Sequence, residues 1–269
     1  MRVAEKNDLP ALCGLWQKAR GCDAAFARMV LERFAAPGRI LIEDESLVCA
    51  LPVTIGQRQG VYFYGLTAPA GGEAAFLQKA EEWVKADGAL FAVARPMAGD
   101  EWALFAAAGY EKAFGTRRVR RPIRSNLWAQ ADMDTVTVRN LEQLRAKYVP
   151  DAVRLPLASM VEVLTDLYSR GLTIVSTDEA YGLYFKEGET LRFIELFAAG
   201  DRAAERLWQA AREKVGGQQA ELLLGAEQPL FLGEGSREEY GCIKFLAHPF
   251  DVTESYMRLV LDVNKQGRV

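Results

Sequence analysis

Apolar and polar positions follow two periods along this chain, and the clearest change between them falls at residues 61–88 (VYFYGLTAPAGGEAAFLQKAEEWVKADG). VYFYGL is a β-branched and aromatic run suited to a buried strand, and Ala68-Pro69-Ala70-Gly71-Gly72 interrupts it with turn residues. Phe76, Leu77, Ala80, Trp83 and Val84 then recur at helical spacing until Gly88 stops the pattern. Residues 89–94 return as an apolar strand. The unit therefore predicts a strand–helix–strand crossover joining two parallel strands.

The same reading extends to both sides. Residues 8–20 and 24–34 carry helical stripes (Leu12, Leu15, Trp16; then Phe26, Met29, Val30, Phe34), with Asp8 placed to cap the first. Residues 39–42 and 47–55 alternate as strands around an acidic turn. Residues 100–108 predict a short helix capped by Asp100 and closed by Gly109, and residues 111–119 another strand. Beyond Arg124 the periodicity lapses, which predicts a first domain at 1–125, a linker at 126–149 and a second domain at 150–269.

The second half echoes the first. ILIEDESLVCALPV matches TIVSTDEAYGLYF, VYFYGLTAPAGGEAAFLQKAEEWVKADG matches LRFIELFAAGDRAAERLWQAAREKVGG, and LFAVA matches ELLLG. The three blocks keep one order and one offset, which argues for duplication. Residues 242–246 and 256–262 are expected to close the second sheet. In the second turn, Ala198-Ala199-Gly200-Asp201, the aspartate is expected to cap the helix and repel an anion, so this unit reads as structural.

Composition narrows the function. Half of the 269 residues are hydrophobic and the net charge is −3, which argues against nucleic acid as a partner. No charge-free apolar run is long enough for a bilayer and the acidic start is not a secretory signal, so no membrane association and a cytoplasmic location are expected. Cys13, Cys22, Cys49 and Cys242 form no CxxC pair and His248 is the one histidine, so no metal is expected. Arg117, Arg118, Arg120, Arg121 and Arg124 read as a solvated edge strand, with an anion site as the alternative. The Gly71-Gly72 turn opens a helix, where free backbone N–H groups and the helix dipole suit a phosphate.

This element order, LTAPA at the end of the central strand, the Gly71 turn into EEWVKADG, and ALFAAAGYEKAF together resemble the GCN5-related N-acetyltransferase superfamily. The tandem arrangement is similar to the enhanced-intracellular-survival acetyltransferases. The resemblance implies an α/β (α+β) fold of two tandem units, each a mixed, mostly antiparallel sheet flanked by helices. It also implies acetyl-CoA as cosubstrate, held by Leu66, Thr67, Ala68, Gly71 and Gly72, and a small-molecule or peptide amine as acceptor, with homo-oligomerisation left open. The sequence departs from the family pattern in a turn short of one arginine and one glycine, and in Phe105 where the family often has a tyrosine acid. Tyr64 is either a replacement acid or core, and Glu195, inside FIELF, is either a general base or a carboxylate hydrogen-bonded within the fold. The alternative function is a catalytically inactive binding or regulatory protein on the same fold.

Overall fold

The computed structural model describes residues 1–97 and 99–252. The first half runs β1 (Arg2–Val3), α1 (Leu9–Arg20), α2 (Ala24–Arg28) with a π-helical turn at Met29–Phe34, β2 (Ile40–Glu43), β3 (Ser46–Ile55), β4 (Arg58–Thr67), α3 (Glu73–Ala86), β5 (Phe91–Ala94), α4 (Gly99–Ala107) and β6 (Glu111–Pro122). The second runs β7 (Asp132–Met133), α5 (Val138–Tyr148), β8 (Val153–Arg154), α6 (Leu157–Ser169), β9 (Thr173–Thr177), β10 (Ala180–Glu187), β11 (Thr190–Ala198), α7 (Asp201–Val215), β12 (Gln219–Gly225) and β13 (Ser236–Phe245). The two halves repeat one order of elements, except that the second has the short β8 between its first two helices and a loop where the first has α4. The stretch 126–149, expected as a linker, is built into the fold: β7 pairs with β9, and Leu141 of α5 is fully buried.

The strands of the described residues join one sheet in the order β1-β2-β3-β4-β5-β13-β6-β12-β11-β10-β9-β7, with β8 alongside β3. The halves meet by exchanging their last strands. β13 pairs with β5 (Ile243↔Val93), while β6 pairs with β12 (Val119↔Leu222). Residues 242–246, expected to close the second sheet, thus lie in and just beyond β13, along the first half's crossover strand. The expected strand at 256–262 lies outside the described residues. β6 makes the join possible because it is long: its first part pairs with β13 from Glu111 to Arg118 and its second with β12 from Thr116 to Pro122.

This placement corrects the reading of the arginine run. β6 lies between β13 and β12 in the sheet, with both paired to it at Thr116–Arg118 and β12 alone beyond, so it is not an edge strand of the sheet, and its arginines have a partner across the strand. Arg118 and Arg120 share a face, as strand alternation requires, and both pair with Glu221 at 2.7 Å. Arg117, on the other face, is buried and donates to the carbonyls of Gly233 and Leu230.

Helices cover both faces. α1, α2, α5 and α6 share one core spanning both halves, built on Trp16, Leu31, Tyr62, Leu164, Tyr181 and Phe197. On the opposite face α3 and α4 bury Phe76, Leu77 and Phe105 against Val48, Phe63 and Ala92, while α7 buries Leu207 and Trp208 against Phe193 and Leu222. Each such side chain contributes about 1.5–3 kcal/mol by leaving water. The expected mixed, mostly antiparallel sheet between helices is therefore what the chain adopts. Among the described residues no helix is long and apolar enough to cross a membrane.

Candidate functional site

β4 and β5 run parallel and pair from Val61 to Phe63; β5 ends at Ala94, opposite Phe63, and β4 runs on to Thr67 without it. Just past that point β4 bulges: between the pairs Cys49↔Tyr64 and Leu47↔Thr67, Gly65 and Leu66 oppose the single residue Val48 of β3. Gly65 makes the bulge possible. Its φ is +70°, and a Cβ there would lie 2.6 Å from Nε1 of Trp16. That indole, fully buried, donates to the Gly65 carbonyl at 3.2 Å. α1 thus braces β4 at the bulge.

A cleft of about 420 Å³ opens there. Tyr64, Leu66 and Thr67 line it from β4 and Ala68 from just beyond, with Leu104 and Phe105 from α4. Gly71 and Gly72 lead from this wall into α3. Gly71 has φ +83° with open space around its Cα, and Gly72 is the N-cap, with no side chain capping the helix. The Gly72 N–H is already used, donating to the Pro69 carbonyl at 2.9 Å.

The charges around the cleft are Arg20, Glu73, Arg95, Asp100 and Glu101. Arg20, which the sequence did not single out, donates to the Leu66 carbonyl at 2.6 Å and to Glu101 Oε1 at 2.7 Å. Glu101 Oε2 in turn accepts from the Met97 N–H at 2.6 Å. One guanidinium therefore joins α1, the end of β4 and the start of α4. Arg95 lies over the Tyr240 ring, 4.5 Å from its centre. Cys49, opposite Tyr64, is no nucleophile: burial pushes its thiol up to about 12, against the opposing pull of the Arg20 charge.

Of the two residues considered for proton transfer, the cleft takes Tyr64 and not Glu195. Tyr64 is almost wholly buried among Trp16, Phe34 and Tyr62, yet it contributes to the cleft wall. Glu195 has no exposed surface; its Oε1 accepts from the Tyr181 hydroxyl at 2.8 Å and its Oε2 faces Arg145 at 3.2 Å. Of its two readings, the geometry is that of a carboxylate held within the fold. The missed partner is Arg145, on α5, which also meets Glu142 at 3.1 Å.

The second half treats the corresponding place differently. β11 and β12 pair as far as Phe193↔Leu222, and beyond them Gln228 spans the gap. It donates to the Leu196 carbonyl at 2.6 Å and accepts from the Gly225 N–H at 3.1 Å. Asp201, expected as the helix cap, is instead the first helical residue; Gly200 holds the cap position and no side chain caps α7.

No protein-family profile and no curated protein matches the chain by sequence. Solved structures match it closely in shape. A GCN5-related N-acetyltransferase from Anabaena variabilis superposes with a TM-score of 0.64 at 12% identity, over 90% of this chain and 71% of that one. Eis1 from Mycobacterium abscessus gives 0.63 at 12% identity over 91% and 72%, and a tandem GNAT protein from the clavulanic acid biosynthesis pathway gives 0.54 at 11% identity over 93% and 99%. The chain has the GCN5-related N-acetyltransferase fold. Such a fold implies an acyl-coenzyme A. The residues present fit its thioester arm, for which the bulged end of β4 forms one wall and Leu104 and Phe105 the other. At the turn from Pro69 to Glu73 this acetyltransferase fold offers glycines and no cation.

Proposed function

We propose that the cleft at the end of β4 binds an acyl thioester of the coenzyme A type and passes the acyl group to an amine, a small molecule or a peptide. The observation that carries this reading is the cleft that opens where β4 runs on past the end of β5, walled by Tyr64, Leu66, Thr67 and Ala68. The bound thioester supplies an activated carbonyl. The amine nitrogen bonds to that carbon, the carbon–sulfur bond breaks, and the proton lost by nitrogen is matched by one gained by sulfur.

The chain's own groups divide the remaining work. The end of β4 orients the thioester, while Leu104 and Phe105 exclude water from it. Glu73 and Asp100 are the carboxylates on the cleft without an ion-pair partner among the described residues, and they attract and deprotonate a cationic amine, directly or through water. Phe105 has no proton to give, so Tyr64 is assigned as the acid for the departing sulfur.

Titration calorimetry with acetyl-CoA on the wild type and on Ala68→Trp tests this. Binding that the tryptophan abolishes, followed by acetylation of an amine panel, is the expected result; no binding by the wild type at millimolar concentration refutes the reading. A second reading is catalytically silent donor binding, favoured by Phe105 and by the Arg20 hold on Leu66. Donor binding with no turnover across the panel selects it.

A further inference from the structure

We infer that the donor site is built for the acyl-pantetheine arm alone, so that the nucleotide end of coenzyme A adds little to binding. This inference rests on the acyl-transfer reading above and concerns what the donor carries beyond its arm.

Two helices begin beside the cleft, and their N-termini are where a diphosphate gains most, from free N–H groups and the positive end of each helix dipole. Both already carry acid. α3 begins with Glu73, and the first turn of α4 holds Asp100 and Glu101. A diphosphate at either start therefore meets carboxylates at the point where the dipole would otherwise favour it.

The nearby cations are committed elsewhere. Arg20 is held by Glu101 and the Leu66 carbonyl, and Lys79, further along α3, pairs with Glu43 at 2.6 Å. Arg95 is stacked on Tyr240. In the turn, the Gly72 N–H is spent on Pro69. The uncharged arm meets no such opposition, and the cleft's 420 Å³ sits at the low end of the roughly 300–1,000 Å³ of small-molecule sites. The shared ligand chemistry is an acyl-pantetheine thioester, either free or borne on a carrier protein through phosphopantetheine.

The test is calorimetry on the full chain with acetyl-CoA and with acetyl-pantetheine. Dissociation constants within about tenfold of one another are expected; acetyl-CoA binding tighter by more than about tenfold overturns the inference while leaving the acyl-transfer reading intact. Binding of neither donor refutes that reading itself. Glu73→Lys, which places a cation at the start of α3, is expected to raise the preference for acetyl-CoA by about fivefold or more, and an unchanged preference overturns the electrostatic argument. Single-turnover transfer from an acetylated holo-carrier protein, compared with free acetyl-pantetheine, separates the two sources: faster transfer from the carrier assigns the arm to a protein, and faster transfer from the free thioester assigns it to a small molecule.

Discussion

Replacing Glu195 with glutamine separates the two roles that a buried carboxylate on a central strand can have. The side chain has no exposed surface, and Arg145, its ionic partner, is 1% exposed. Removing one member of such a pair leaves the other charged and desolvated, which typically costs about 3–5 kcal/mol. Here Arg145 keeps Glu142 at 3.1 Å, and the glutamine carbonyl still accepts from Tyr181, so the lower end, about 3 kcal/mol, applies. A chain of this length loses roughly 2 °C of melting temperature per kcal/mol, which gives a fall of about 6 °C by scanning calorimetry. Adding Arg145→Met to Glu195→Leu is expected to recover part of the loss, since no fully buried charge is then left unpaired, and Glu142, which loses Arg145, is partly exposed. Acetyl transfer by folded Glu195→Gln is expected to stay near wild type. A variant that melts within a degree of wild type yet has lost transfer would refute the structural assignment and return Glu195 to the chemistry.

Gly65→Ala is expected to destabilise by about 2–5 kcal/mol, combining a left-handed backbone penalty with overpacking against Trp16, and to weaken donor binding as the bulge shifts. An unchanged urea midpoint would contradict this. At the N-terminus, the hydrogen bond from Arg2, aided by the Glu5 N–H, holds the Asp8 carboxyl down at about 2. Because the folded value is depressed below the unfolded one of about 3.9, its stabilising contribution is present above pH 4 and is lost as the pH falls from about 4 to about 2. The melting-temperature gap between wild type and Asp8→Asn should close across that window; a gap that persists at about pH 2 would show another origin.

Local pattern made much of this architecture legible. The change from a two-residue to a helical period at 61–88 marked β4, the turn and α3, because burial of one face leaves its period in the residues themselves. The repeat was legible for the same reason. What pattern could not convey was pairing between distant strands. Nothing in CIKFL says that its neighbour is FAVA and not ELLL, since all three runs are apolar and suit any internal position. The arginines of β6 looked like edge protection because Glu221, their counter-charge, lies about a hundred residues away. Arg145, the partner of Glu195, and Arg20, the tie across the cleft, sit at ordinary helical positions and carry no local sign of their role. The stretch at 126–149 read as a linker because β7 spans only two residues and α5 is largely polar on its outer side.

The exchange of last strands sets a timetable for synthesis. β5 leaves the ribosome roughly 140 residues before β13, which at about 5–20 residues per second is a delay of about 7–30 s. Until then the hydrogen-bonding edge of β5 from Phe91 to Ala94, destined for Cys242 to Phe245, has no permanent neighbour from its own chain. A bare apolar edge of this kind recruits other strands. The nascent first half is therefore the form of this protein that most depends on chaperones, and slow translation of its second half would lengthen that exposure.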